Sequence, residues 1–383
     1  MKKILMVLAV LLTLTSCNGS SQNEGALRYK NGGCIAYYPD NKTIKEYAKK
    51  LCETKDKQVY DYSVKQMGDF LLVSYEDGLS FYTENDFKDL SLEVKDNLDI
   101  LSNELRYQMK KDNIDMAYTT DFILSTSKDK LDPSKIDVSL DNDDLVFYFE
   151  EYDYGVKIPL VVGQKIVGRN FGFEEAEYVY RRYVNPNRPM VAFTFDDGPY
   201  STVDEMLYDL MDKYDSRCTF YFVGNRLGNL DHDATQKGIQ MGFEYGSHTY
   251  DHEDLSDLSV EEAKDTVCYV SDYFMDNFNY KMNTYRPPYG HTNQSLENAI
   301  DMVAILWNAD TRDWENRDEQ ESYIQASDTI KDGSILLAHS LYESTAKACT
   351  RLVPELIDQG YQLVTVSELL QALNIQDKVF SGK

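Results

Sequence analysis

From residue 190 onward, short apolar runs alternate with amphipathic stretches. The runs at 191–195, 218–223, 244–247, 303–307, 335–338 and 363–366 predict strands. Helical spacing predicts helices at 203–214, ahead of Gly242, and at 260–278, 319–330 and 346–357. Alternation of this kind implies an α/β fold, a parallel sheet or barrel, with functional groups at the C-terminal ends of strands. The preceding region is mixed. Ile44, Tyr47, Ala48 and Leu51, then Val94, Leu98, Leu101 and Leu105, recur at helical spacing. The runs 70–75 and 79–82 flank Glu76-Asp77-Gly78 and predict a hairpin, and 145–149 and 158–162 read as strands. The acidic run 141–144 lacks the glycine and distal Glu of a calcium loop and reads as a turn. The segment NPNRP at 185–189 reads as a linker.

The N-terminus follows a different pattern. Lys2 and Lys3 precede an apolar run at 4–14, which is too short for a membrane span and reads as a secretory signal. Leu14-Thr15-Ser16-Cys17 resembles a bacterial lipobox, which implies cleavage before Cys17 and lipidation of its thiol. The alternative is an ordinary signal peptide with a cysteine nearby. Polar residues 18–25 read as a tether. The expected organisation is a signal peptide at 1–16 and a lipidated tether at 17–26. An α+β accessory domain without assigned role follows at 27–182, and a catalytic domain at 183–375.

Composition narrows the partners. The 383 residues carry a formal charge of −26, which repels phosphate backbones and argues against nucleic acid. The same charge avoids anionic lipid heads, so any membrane attachment should be covalent or through an inserted segment. Besides Cys17 there are Cys34, Cys52, Cys218, Cys268 and Cys349. An odd number leaves at least one thiol outside any disulfide within the chain. Cys34 and Cys52 could pair, the others read as small buried residues, and no CxxC suggests a cysteine zinc site.

Polar groups gather at the predicted strand ends. Asp196-Asp197 closes the first strand and turns into Gly198-Pro199, so both carboxylates can face one pocket. His248 and His252 follow the third strand four residues apart, a spacing that puts two imidazoles on one side of a helical turn, as a metal pair requires. Arg286-Pro287-Pro288-Tyr289-Gly290 is a stiff loop able to hold an arginine or a peptide N–H. Asp310 and Asp313-Trp314 follow the strand at 303–307, and Leu337-Ala338-His339 ends another. His232 and His291 read as surface residues, with His291 next to the stiff loop.

In order, TFDDGP at 194–199, HTYDH at 248–252, RPPYG at 286–290, DTRDW at 310–314 and LAH at 337–339 resemble the five motifs of the NodB-homology polysaccharide deacetylases, carbohydrate esterase family four. The resemblance covers about 189–370 and implies a distorted, incomplete (β/α) barrel preceded by the smaller α+β domain. It implies one divalent metal, zinc by its donor set with cobalt or nickel possible, on Asp197, His248 and His252. It makes Asp196 the general base, Arg286 its holder and the Tyr289 peptide N–H an oxyanion donor. His339 becomes the general acid and Asp313 its support, while Trp314 and Leu337 line the groove and the acetyl-methyl pocket. The expected enzyme is a lipid-anchored, extracytoplasmic N-deacetylase of an acetylated polysaccharide. Its substrate would be N-acetylglucosamine or N-acetylmuramic acid of peptidoglycan. The alternatives are an O-acetyl xylan esterase and a non-catalytic glycan-binding or sensing lipoprotein.

Overall fold

A computed structural model describes residues 93–382 except 142, 143, 170, 172, 175 and 177, together with the course of five earlier strands. The signal, Cys17, residues 18–23 of the tether, the helix expected at 44–51 and any Cys34–Cys52 pairing lie outside the described residues and side chains, while the expected end of the tether at 24–26 is instead the start of a paired strand, Glu24–Lys30. The chain divides into two compact units. One comprises the early strands and Asp132–Tyr178; the other comprises Leu98–Leu131 with Val179–Lys383.

The smaller unit is antiparallel. Strands β1 (Glu24–Lys30), β2 (Gly33–Tyr37), β3 (Asp61–Met67), β4 (Phe70–Tyr75) and β5 (Gly78–Thr83) form a sheet in the order β2-β1-β3-β4-β5. The expected hairpin is the β4–β5 pair, with Tyr75 opposite Gly78. A second sheet joins β6 (Ile136–Asp141), β7 (Asp144–Phe149) and β8 (Tyr154–Pro159), and Asp141 and Asp144 of the acidic run pair across the ends of β6 and β7. The strand expected at 158–162 ends instead at Pro159, and Leu160–Ile166 is a helix. Proline lacks the N–H a ladder needs. The helix then buries Leu160 and Ile166, and a Cβ at Gly163 would fall 2.7 Å from a Leu145 methyl.

The larger unit is the βα repeat. Its strands are β9 (Met190–Gly198), β10 (Thr219–Phe222), β11 (Glu244–Ser247), β12 (Thr284–Tyr285), β13 (Val303–Ile305), β14 (Ala309–Asp310), β15 (Ser334–His339), β16 (Gln362–Val364) and β17 (Val379–Phe380). They run parallel in the order β14-β15-β9-β10-β11-β12-β13-β17, with β16 against the start of β9. This curled sheet, flanked by helices, is an incomplete (β/α) barrel. Residues 190–196 of β9 are all buried, because a parallel sheet is covered on both faces and needs no polar alternation. Phe195, Phe220 and Tyr245 stack in series across β9, β10 and β11 within the core. The helix Val260–Phe278 starts where the sequence places it, because Ser259 and Glu262 form a capping box.

Two boundaries differ from the sequence reading. The helix Leu98–Lys111 and its successor Thr120–Ser125 pack with the larger unit: Ile123 joins its core and Lys110 pairs with Asp215 at 2.5 Å. The 185–189 segment is not a free linker. Asn185 is buried, its N–H donates to Gln362 Oε1 and its carbonyl accepts from Gln362 Nε2, both at 2.8 Å. Cys218 and Cys349 are buried free thiols as expected, and Cys268 is half-buried. Among the described residues, no helix is long and apolar enough to cross a membrane.

Candidate active site

The C-terminal ends of β9, β11, β12, β14 and β15 bring the candidate residues together. Thr194 and Asp196 share one face of β9; Leu337 and His339 lie directly opposite them on β15. Asp197 would normally point to the other face. The β9–β10 register shifts at this point, with Asp196 opposite Tyr221 and Gly198 opposite Phe222, and Asp197 has φ +68°. This bulge turns two successive carboxylates toward one pocket. Arg226 donates to the Asp197 carbonyl at 2.6 Å and holds the bulge.

His248 and His252 do meet, with ring centroids 4.9 Å apart, but not on a helical turn. Residues 248–252 are a loop in which Thr249 (φ +66°) and His252 (φ +58°) are left-handed. No helical turn carries the pair; the two left-handed residues bring the rings together instead. His248 Nδ1 bonds the Arg286 carbonyl at 2.7 Å, which leaves Nε2 facing the pocket. Burial pulls the His248 pKa down to about 3, so this ring is neutral and can donate a lone pair. Its Nε2 lies 3.6 Å from Asp197 Oδ1, as does His252 Nε2. One ligand atom from each of Asp197, His248 and His252 lies within 4.8 Å of the others, a cradle for one cation. Tyr289, at φ +60°, sets its ring edge-on to His252 at 4.9 Å and is 62% exposed. Non-glycine residues held left-handed each cost on the order of 1–3 kcal/mol, and four of them cluster here.

Arg286 is fully buried. Its Nε and Nη2 donate to the Ile305 and Leu306 carbonyls, and its Nη1 to Thr194 Oγ1 at 2.6 Å and Asp196 Oδ1 at 2.8 Å. Asp196 Oδ2 is left 3.7 Å from His248 Nε2, beside the cradle. Burial raises the Asp196 pKa, and the positive charge of Arg286 opposes that rise. One residue thus orients both the carboxylate, through its guanidinium, and His248, through its carbonyl.

Asp313, fully buried, faces His339. Its Oδ1 lies 2.7 Å from His339 Nδ1, and its Oδ2 accepts from the His339 N–H at 2.8 Å and from Thr345 Oγ1 at 2.6 Å. Burial alone would lower the His339 pKa. The hydrogen bond and charge of Asp313, with the charges of Asp196 and Asp197, outweigh it and push the ring up to about 9. Asp313 is held low despite its burial, chiefly by the bond from His339. Leu337 is buried on the same strand face as His339, while Trp314 stands half-exposed at the rim. Asp310 is half-buried and accepts from the Arg312 N–H at 2.7 Å. His291 is exposed and pairs with Asp254 at 2.6 Å; His232 bonds the Tyr273 hydroxyl at 3.0 Å. Arg226 and Thr345 support the site but carry no signal in the pattern, since a lone Thr or Arg acquires its role from a strand or helix distant in sequence; Thr194 opens the TFDDGP motif, but its bond to Arg286 was not legible there.

Residues 183–304 match a family model described as polysaccharide deacetylase. The chain is 34% identical over 186 residues to the peptidoglycan-N-acetylmuramic acid deacetylase PdaC of Bacillus subtilis, across 49% of this chain and 40% of that protein. It is 29% identical over 203 residues to a bifunctional xylanase/deacetylase of Pseudobutyrivibrio xylanivorans, across 51% and 33% respectively. A peptidoglycan-N-acetylglucosamine deacetylase of Bacillus cereus is 31% identical over 193 residues, across 48% of this chain and 90% of that protein. The chain therefore spans 40% or less of the length of the first two relatives.

Proposed function

This chain belongs to the polysaccharide deacetylase family, and from that premise we propose that it hydrolyses N-acetyl groups on the N-acetylglucosamine or N-acetylmuramic acid of peptidoglycan. The observation that carries the reading is the convergence of an Asp197–His248–His252 cradle, the buried carboxylate of Asp196 and the Asp313-backed His339 at neighbouring strand ends.

The cradle fits a divalent cation. Its donors are one carboxylate and two imidazoles, one of them held neutral with its far nitrogen already bonded, a set that suits zinc, cobalt or nickel. A cation held there would acidify a water and polarise the acyl oxygen. Asp196 accepts the proton of the attacking water on Oδ2 while Arg286 fixes Oδ1. The Tyr289 peptide N–H donates to the developing oxyanion, a term that is often the largest in acyl transfer. His339 enters as an imidazolium whose Nδ1–H is committed to Asp313, so its Nε2 proton goes to the departing nitrogen as the C–N bond breaks. Acetate and a free amine leave. Leu337 closes the pocket for the methyl group and Trp314 offers the glycan a stacking face.

An acetate-release panel tests this, with metal content measured alongside. Release is expected from N-acetylated chitooligosaccharide and from peptidoglycan. Release from O-acetylated xylan alone would favour the esterase reading, to which the xylanase/deacetylase relative lends weight. Glycan binding without release from any substrate would favour a sensor.

The lipobox-like sequence extends the proposal to place, an exported lipoprotein held beside the wall through Cys17. Cys17→Ser is expected to release the protein from membranes or to leave its signal uncut. Unchanged retention and processing in a fractionation blot would remove the anchor.

A further inference from the structure

The two histidines of the cradle are held by different means. His248 has a carbonyl on its far nitrogen. Among the described residues, the far nitrogen of His252 has no such partner, and its imidazole is about one-third exposed. The position of His252 therefore depends on the backbone that leads to it. That backbone is the Tyr250-Asp251 turn, set between left-handed Thr249 and left-handed His252.

The turn is gripped on two sides. Its Thr249 and Tyr250 carbonyls accept from the Gly224 and Asn225 N–H groups at 2.9 and 2.7 Å, bonds that backbone alone supplies. On the other side, both N–H groups are taken by side chains. The Tyr250 N–H donates to Thr266 Oγ1 at 2.8 Å, and the Asp251 N–H donates to Glu253 Oε2 at 2.8 Å. Thr266 Oγ1 in turn donates to Glu253 Oε1 at 2.8 Å, which closes the ring of bonds. Thr266 is buried on the inner face of the helix Val260–Phe278, so the clamp ties the loop to a rigid element. The hydroxyl both accepts and donates here, and the carboxylate accepts with each of its two oxygens.

We propose that Glu253 and Thr266 are positioning residues that set the affinity of the cradle for its metal by fixing the turn that carries His252. The inference rests on the metal reading of Asp197, His248 and His252, but not on any substrate. Outer-shell partners of ligating histidines typically govern metal affinity by about 10- to 100-fold. The same range is expected when the partner acts through the backbone of the ligand.

The test is zinc affinity of metal-stripped full-length protein, measured by competition with a chromophoric chelator. Thr266→Val removes the hydroxyl and keeps the shape; Thr266→Ser keeps the hydroxyl and removes the methyl. Glu253→Ala removes both acceptors; Glu253→Gln keeps an accepting oxygen for Asp251 and an amide that can donate to Thr266. The Val and Ala variants are expected to bind zinc at least about 10-fold more weakly, with Ser and Gln within about threefold of the unaltered chain. Metal-free circular dichroism should stay unchanged. Should one disruptive variant fail to fold, the other position decides. Affinity unchanged in both Val and Ala overturns the clamp. Ser weaker than Val would assign the effect to packing, and Gln as weak as Ala would assign it to charge; either overturns it too. An unaltered chain that binds no zinc overturns the metal reading itself.

Discussion

Asp196→Asn is expected to lose at least about 10²-fold in acetate release while retaining near-stoichiometric metal. Asp197→Asn, one residue along, is expected to lose both. The two side chains are chemically alike and differ only in where the bulge aims them. Asp196 Oδ1 is bound by a buried guanidinium, so an amide oxygen can keep that bond and the local structure. The amide cannot take a proton from water. Asp197 supplies the one anionic donor to the cradle, within 3.6 Å of both imidazoles. Replacing it leaves two imidazoles with no anionic donor, too weak a set to hold a divalent cation. Metal analysis and acetate release on the two purified variants decide the matter. Metal lost from the Asp196 variant and kept by the Asp197 variant would reverse the roles; full activity in either would undo the mechanism.

His339→Ala should lower turnover of an N-acetyl substrate by about 10²-fold or more with metal kept. The loss should be smaller on an activated aryl acetate, whose leaving group departs without a proton, and equal losses would count against the acid role. The pH dependence follows from the same pair. A raised pKa keeps His339 protonated through neutral pH, so activity that needs its proton falls as pH rises through that pKa. The ring is pushed up to about 9, and a cation held in the neighbouring cradle would draw it lower by like-charge repulsion. The alkaline limb of kcat/KM is therefore expected below 9. Burial favours the neutral ring, and Asp313 supplies the main opposing terms. Asp313→Asn should accordingly move the limb to lower pH, towards or below the ordinary histidine value near 6.5. A limb that stays in place would mean that some other group is titrating.

Much of the larger unit was legible because its periodicity is local. Buried strands such as Met190–Gly198 and Ser334–His339 read as apolar runs, and Val260–Phe278 as a 3.6-residue repeat opening on a capping box. Strands β12 and β14, two residues each, had no run to read, although they deliver Arg286 and Asp313. Their extended course is imposed by pairing with β11, β13 and β15. The assignment of 98–131 to the larger unit was equally hidden, because an amphipathic helix shows that it has an apolar face but not which core will cover it.

By itself, the sequence determined the βα alternation and placed the candidate groups at strand ends, both of which depend on residue type and local spacing. Only the tertiary structure decided how those groups face one another. Adjacent Asp196 and Asp197 share a pocket because a register shift against β10 rotates one of them. His248 and His252 meet through two left-handed residues in a loop gripped from both sides, where a helical turn would have served the same spacing. Arg286 reaches Asp196 because carbonyls about 20 residues away, at Ile305 and Leu306, fix its guanidinium. Asp313 stays ionised while buried because the His339 ring and N–H and the Thr345 hydroxyl converge on it from β15 and the following helix. Periodicity reports the backbone conformation and burial of a short segment; convergence of side chains depends on pairing between segments far apart in the chain, which no local pattern encodes.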